Sequence, residues 1–252
     1  MGETPGIKKI KEVRALCERS SARRRTGLFV TEGERIFREI PDGELVSVYI
    51  SEGYRKTHPE TEYDYVLKDS DFARLSDTKH PQGILAVVRQ KQYHIGELLG
   101  GRLYIILETI QDPGNLGTII RTAEAAGVSA VIMNRGCADI YSPKVVRSTM
   151  GSVFRVPFIY TEDLEETLLD MKRAGITLYA ADLSGRDIRE AELSQRRGFI
   201  IGNEGNGLTG EALQLADERV RIPMEGRVES LNAAVSAAIL MYSASLVHGG
   251  PV

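Results

Sequence analysis

A glycine-rich stretch, Gly202-Asn203-Glu204-Gly205-Asn206-Gly207, follows directly on an apolar run, Phe199–Ile201. The run reads as a buried strand, and the glycines as the loop that leaves it. Downstream, a second short strand, Val220–Ile222, is closed by Pro223, and a helix of small residues begins near Ser230-Leu231-Asn232. Strand ends and a helix start offer bare backbone N–H and C=O groups with room to approach them, which is what a nucleotide-like ligand needs. The loop lacks the Lys-Ser/Thr ending of a P-loop. Its G-x-x-G-x-G spacing is not the dinucleotide fingerprint. Taken alone, a glycine loop after a strand is usually only a turn.

The elements that must position this segment alternate. From Leu103 the pattern is strand Leu103–Glu108, helix Leu116–Ala126 stopped by Gly127, and strand Ala130–Met133. Ser142-Pro143 opens a further helix, which Gly151 can end. Helix Leu164–Ala174 stops at Gly175 and strand Ile176–Ala181 follows. Alternating strands and helices imply an α/β fold with a parallel sheet covered on both faces. Ligands of such sheets sit outside the carboxyl ends of strands. The loops after Glu108, Asp182, Ile201 and Ile222 are therefore where a site is expected. The final helix carries Ala233, Ala234, Ser236, Ala237 and Ala238 for close backbone approach. Leu231, Val235, Ile239, Leu240 and Leu246 make it apolar nearly all round, as a buried helix should be.

The first ninety residues read as a separate, smaller α/β unit. Ile7–Arg25 is expected to be one helix with Ile7, Ile10, Val13, Leu16 and Cys17 on one face. Its end carries Arg19, Arg23, Arg24 and Arg25. Cations at a helix end are favourable in themselves, and they also suit contact with phosphates. Strands at Leu28–Thr31, Val46–Ile50, Tyr65–Leu67 and Ile84–Val88 alternate with helices at Glu34–Ile40 and Ser70–Leu75. His80 in the turn His80-Pro81-Gln82-Gly83 reads as a loop residue. Gln90–Gly100 is polar and aperiodic, and serves as the linker. The expected domains are 1–92 and 98–252.

Bulk properties narrow the classes. The net charge of −3 argues against wholesale coating of nucleic acid. The distribution is uneven: residues 1–40 hold ten Lys/Arg against six Asp/Glu, and residues 98–252 hold fifteen against nineteen. Two cysteines, Cys17 and Cys137, are too few for a disulfide framework or a metal cluster, and suit a reducing compartment. The four scattered histidines have no metal-ligand spacing. No apolar run is long enough for a signal peptide or a membrane span. A soluble, cytoplasmic protein without a metal is expected.

The glycine loop, together with the stretch from Ile222-Pro223-Met224 to Ser230-Leu231-Asn232, resembles the second and third motifs of the SpoU (TrmH-like) family of RNA ribose 2′-O-methyltransferases, in the SPOUT class. The family's first motif, N-x-G-x-x-x-R, stands as Asn115-Leu116-Gly117-Thr118-Ile119-Ile120-Arg121. All three motifs occur in order, and the resemblance covers nearly the whole chain. It implies a C-terminal SPOUT domain with a trefoil knot, which general rules of chain topology would not suggest. It also implies a smaller, ribosomal-protein-L30e-like substrate-binding domain before it. S-adenosylmethionine is the implied cofactor, RNA the partner, and a homodimer through the C-terminal domain the assembly. Gly202, Asn203, Glu204, Gly205, Ile222, Pro223, Met224, Leu231 and Asn232 would hold the cofactor. Arg121, Asn115, Glu204 and Ser230 would be the catalytic set. Arg19, Arg23, Arg24, Arg25, Arg121, Lys144 and Arg147 would contact RNA.

Arginine has a pKa above about 12 and stays protonated, so Arg121 suits phosphate gripping or alkoxide stabilisation better than proton abstraction. A plain ion pair with Glu124 or Glu108 is the alternative role. Asn115 could equally be a helix cap, and Glu204 an anion at a helix N-terminus. The expected reaction is methyl transfer to a ribose 2′-hydroxyl of large-subunit ribosomal RNA, favoured over transfer RNA by the separate N-terminal domain. A catalytically silent RNA-binding or ribosome-assembly protein of the same fold is the other reading. The presence together of Asn115, Arg121, Glu204 and Asn232 speaks against it.

Overall fold

The computed structural model describes residues 3–203 and 205–246, with side chains up to residue 244. The chain divides into two compact units. One holds Met1–Lys91 with Asp139–Phe154, the other Gln92–Ala138 with Arg155–Val252.

The first unit contains α1 (Ile7–Glu18), α2 (Ser20–Thr26), β1 (Leu28–Glu32), α3 (Glu34–Phe37), β2 (Leu45–Ser51), α4 (Glu52–Thr57), β3 (Tyr65–Leu67), α5 (Asp69–Leu75) and β4 (Ile84–Arg89). Its sheet has the order β1-β4-β2-β3, with β4 antiparallel to both neighbours and β3 parallel to β2. Val13 and Leu16 of α1 and Phe72 and Leu75 of α5 pack on Tyr49, Leu85 and Val87 of the sheet. Helix α4, absent from the sequence reading, is capped by Ser51, whose hydroxyl accepts from the Tyr54 amide at 3.1 Å.

The single helix expected over Ile7–Arg25 is broken. Arg19 is extended, at φ −124° and ψ 116°. The last carbonyls of α1 have no partner within their own helix. The break lets Arg23 turn back onto them: its Nη1 donates to the Leu16 carbonyl at 2.6 Å and to that of Cys17 at 3.1 Å. Its Nε donates to Asp139 at 2.9 Å, and Nη2 completes the ion pair at 2.8 Å. Arg23 is only 4% exposed. This corrects its reading as an RNA contact: its donors are taken up in holding the unit together.

The remaining elements are α6 (Ile95–Leu98), β5 (Leu103–Leu107), α7 (Pro113–Ala125), β6 (Ala130–Asn134), α8 (Pro143–Thr149), β7 (Phe158–Thr161), α9 (Leu164–Arg173), β8 (Thr177–Asp187), β9 (Arg197–Ile201), α10 (Gly210–Leu215), β10 (Glu218–Arg221) and α11 (Ala233–Leu246). Of these, α8 belongs to the first unit and packs on β1. The other elements form the second unit around a sheet of order β10-β8-β9-β5-β6-β7, every pair parallel. Strands covered on both faces are apolar throughout, and all five residues of β5 are buried. Tyr104 and Ile106 face Leu168 and Met171 of α9, and α7 packs against α11. The chain runs from β5 outward to β7, then crosses to β8 on the other side. The reversal leaves the carboxyl ends of β5 and β9 side by side, at the switch point where α/β sheets take ligands.

The linker expected at Gln90–Gly100 contains α6, with the Glu97 carboxylate accepting from the His94 amide at 3.3 Å and Leu98 buried. Strand β8 runs beyond the expected Ala181. Its pairing with β10 jumps from Arg219↔Ala180 to Val220↔Arg186, so the intervening residues bulge out. Gly185 is required there, since a Cβ would come within 2.5 Å of the Arg219 backbone. Helix α11 buries its small face through Ala233, Ala237, Leu240, Met241 and Ala244. Val235 (47%) and Tyr242 (44%) are exposed, so the helix is not covered all round as expected. Its Ala244 carbonyl accepts from buried Arg197 at 2.6 Å.

Candidate functional site

A cleft of about 460 Å³ opens at the carboxyl ends of β8, β9 and β10, beside the start of α11. That volume is in the range of small-molecule sites. The glycine loop after β9 forms one wall. Asn203 and Gly207 close it by exchanging backbone bonds, at 3.1 and 2.9 Å. The Asn203 side-chain oxygen accepts from the amides of Gly205 (2.8 Å) and Asn206 (3.2 Å). Two of its glycines are structurally required. A Cβ on Gly202 would lie 2.3 Å from the Gly207 backbone, and Gly207 has φ +67°.

Opposite the loop, Ile222 and Met224 follow β10, and Ser230 and Leu231 lead into α11. Of the expected cofactor positions, Gly202, Asn203, Gly205, Ile222, Met224 and Leu231 line the cleft, as does Ser230 of the expected catalytic set. Pro223, Asn232, Asn115 and Arg121 do not. Glu204, expected to bind cofactor and to belong to the catalytic set, lies outside the described residues.

Asn115 and Asn232 nonetheless meet: Asn232 Nδ2 donates to Asn115 Oδ1 at 2.9 Å. Asn232 also caps α11, its Oδ1 accepting from the amides of Ala234 (2.9 Å) and Val235 (3.3 Å). Asn115 is not a helix cap. Asp112 fills that role, accepting from the Asn115 amide at 2.8 Å, with Pro113 at the first helical position. The helix therefore starts earlier than expected and leaves the Asn115 side chain to tie α7 to the start of α11.

Arg121 is exposed on α7 and makes no hydrogen bond or ion pair to a described residue. Both alternative partners are engaged elsewhere. Glu124 pairs with Arg155. Glu108, buried, accepts from the Thr209 amide at 2.9 Å and its hydroxyl at 2.8 Å.

The cleft also holds residues the sequence reading left without a role: Asp182 and Leu183 on the β8 bulge, Arg221, and Glu229. The Ser184 hydroxyl, donating to Asp182, holds that carboxyl below its ordinary pKa, so this side chain is anionic. The signal that could have found it is position, since Asp182 opens one of the loops beyond a strand end. Of the residues expected to meet RNA, Arg19, Arg24, Arg25 and Lys144 are exposed, and Arg147 bonds to Asp77 at 3.0 Å. All five fall in the first unit, although Lys144 and Arg147 come from the second half of the chain.

The SpoU rRNA methylase family model matches residues 102–242, and the MRM3-like substrate binding domain model matches residues 8–86. The chain belongs to the SpoU rRNA methylase family. Among curated relatives, it is 34% identical to the 23S rRNA (guanosine(2553)-2′-O)-methyltransferase RlmP of Bacillus subtilis, over 95% of this chain and 97% of that protein. Among solved structures, it is similar to an AdoMet-bound rRNA methyltransferase from Sinorhizobium meliloti, with a TM-score of 0.85, 27% identity and 98% of both chains covered. The SpoU methyltransferase AviRb from Streptomyces viridochromogenes, in complex with AdoMet, gives a TM-score of 0.82 at 26% identity, covering 95% of this chain and 98% of that one.

Proposed function

We propose that the chain transfers a methyl group from S-adenosylmethionine to a ribose 2′-hydroxyl of large-subunit ribosomal RNA. The observation that carries this is the placement of the glycine loop, Ile222, Met224, Ser230 and Leu231 on one cleft at the carboxyl ends of β8, β9 and β10, next to the Asn115–Asn232 tie. The cleft fits the cofactor in volume, in its backbone-rich walls and in the anionic Asp182 that would face a cationic ligand. When bound, the cofactor supplies an electrophilic sulfonium methyl. Gly202, Asn203, Gly205, Ile222, Met224 and Leu231 hold it, largely through backbone, and Glu204, Pro223 and Asn232 belong to the same proposed set. Arg121, always charged and without a partner among the described residues, grips an RNA phosphate or stabilises the oxyanion that forms as the 2′-hydroxyl loses its proton to solvent and takes the methyl from sulfur. Ser230, Asn115 and Glu204 orient it or the substrate.

Ribosomal RNA is favoured over transfer RNA by the likeness to RlmP along nearly the whole chain and by the separate substrate-binding domain. In this reading the first unit meets RNA through Arg19, Arg24, Arg25 and Lys144, and the second binds cofactor. The C-terminal trefoil knot and a homodimer through the second unit belong to the same reading. The dimer is supported by the exposed Val235 and Tyr242 of α11, and the cytoplasm is the expected site of action. A monomer mass by light scattering at micromolar concentration would count against the dimer. The test of the cleft is calorimetry with S-adenosylmethionine. The wild-type chain should bind, and Gly202→Ala should weaken binding by about tenfold or more, because its Cβ strikes the Gly207 backbone. Unchanged affinity in Gly202→Ala would put the cofactor elsewhere.

A further inference from the structure

The glycine loop is fastened from behind by residues that do not line the cleft. Beyond β5, Thr109 takes φ +61°, a left-handed conformation that is strained for a β-branched residue. Among the described residues only Met150 shares this without being glycine. Strand β6 lies next to β5, with Leu107 opposite Met133, and this brings Asn134 against Thr109. The Asn134 side chain grips it twice. Its Oδ1 accepts from the Thr109 amide at 2.9 Å, and its Nδ2 donates to the Thr109 hydroxyl at 3.0 Å. The same Oδ1 accepts from the Gly136 amide at 3.2 Å, and a Cβ on Gly136 would come within 2.7 Å of the Thr109 hydroxyl. The strained residue is thus over-determined by its surroundings, as such residues must be to persist.

What the strain achieves is the direction of one carbonyl. Thr109 O accepts from Asn203 Nδ2 at 3.0 Å, and the other end of that amide organises the glycine loop through Gly205 and Asn206. At the far end of the loop, the buried Glu108 carboxylate holds both the amide and the hydroxyl of Thr209, which caps α10. Two consecutive residues after β5 therefore fasten the loop at both ends. We propose that Glu108 and Thr109, locked by Asn134, form a positioning clamp that fixes the glycine loop in its cofactor-binding shape. Asn134 is a positioning residue that acts on the cofactor only through Thr109 and Asn203. The proposal rests on the cleft being the cofactor site.

The test uses the full-length chain and calorimetry with S-adenosylmethionine, with thermal unfolding as the check on folding. Asn134→Ala should weaken cofactor binding by about five- to tenfold, the scale of removing one hydrogen bond. Adding Thr109→Gly to it should restore affinity to within about twofold, because glycine takes positive φ without a lock. A merely structural role for Asn134 would lower the unfolding temperature without moving the affinity, and would show no such rescue. An Asn134→Ala protein that folds and binds like wild type overturns the clamp, as does failure of the double variant to regain affinity. Should Asn134→Ala not fold, Asn134→Ser keeps a polar group but is too short to reach both the Thr109 amide and its hydroxyl. It should bind about threefold more weakly, and wild-type affinity there would equally overturn the clamp. Wild-type protein that does not bind the cofactor would overturn the reading of the cleft itself, a result distinct from equal binding by wild type and variant.

Discussion

Two arginines, each on a helix, are put to opposite uses. Arg23 on α2 is buried, and its donors are taken by two carbonyls and Asp139. Arg121 on α7 is exposed, and the two carboxylates offered as alternative partners for it, Glu108 and Glu124, are committed to Thr209 and Arg155. A saturated guanidinium stabilises a fold, whereas an unsaturated one is available to a substrate. Residue type and helical context do not separate the two cases; the inventory of partners does.

The largest effect on stability that sharpens this contrast is at Arg23. Arg23→Ala should lower unfolding stability by about 2 kcal/mol, because it takes the partner from one Asp139 oxygen and leaves carbonyls at the end of α1 unpaired. Denaturant titration measures this, and a loss below about 1 kcal/mol would return Arg23 to the surface role. Arg121→Ala should do the reverse, leaving stability unchanged within about 0.5 kcal/mol. It should lower the rate of methyl transfer by about 10²-fold, the scale of one preorganised contact to a developing charge. Arg121→Lys should not rescue the rate, since the fork geometry is lost. Wild-type turnover in either variant would break the comparison.

Changing Arg19, Arg24 and Arg25 together to Ala should flatten the dependence of log K on log salt for RNA binding by roughly 2, at about 0.7–0.9 for each phosphate no longer neutralised. An unchanged slope would make these arginines a solvated helix end. The smallest effect concerns the thiols. Burial pushes Cys17 up to about 12 and Cys137 up to about 11. Neither should react with a thiolate-selective disulfide reagent at pH 8 in the native chain, and both should react on unfolding. Rapid native labelling of either would contradict its placement.

What was legible in the sequence follows the range of the interactions concerned. The glycine loop, the strand before it and the start of α11 were readable because glycine, proline and apolar runs act within a few residues of themselves. The order of the strands was not, and neither was the packing of α8 on β1, which places Lys144 in the same unit as the N-terminal arginines. Such packing depends on interactions between residues distant in sequence. The break at Arg19 is hidden for the same reason: helical periodicity continues through it, and one of the contacts it allows, Arg23 to Asp139, joins residues distant in sequence. Strand β7, four residues at a sheet edge, is too short for an alternation signal. The sequence allows Asn115 to be a cap or a ligand. Asp112, three residues earlier, decides it as the cap and frees the Asn115 side chain for Asn232. The Asn134 lock on Thr109 leaves no local trace, since it exists only because β5 and β6 are neighbours.

The central claim is that the methyl group goes to a ribose oxygen. The charged group offered by α7, Arg121, suits a hydroxyl that must become an oxyanion beside phosphates. A base nitrogen has no such requirement. Ribosomal RNA methylated in vitro with radiolabelled S-adenosylmethionine and digested with alkali tests this directly. A 2′-O-methyl group blocks cleavage at its own linkage, so the label should be recovered in an alkali-resistant dinucleotide. Label found only in mononucleotides would mean a base product and would contradict the account.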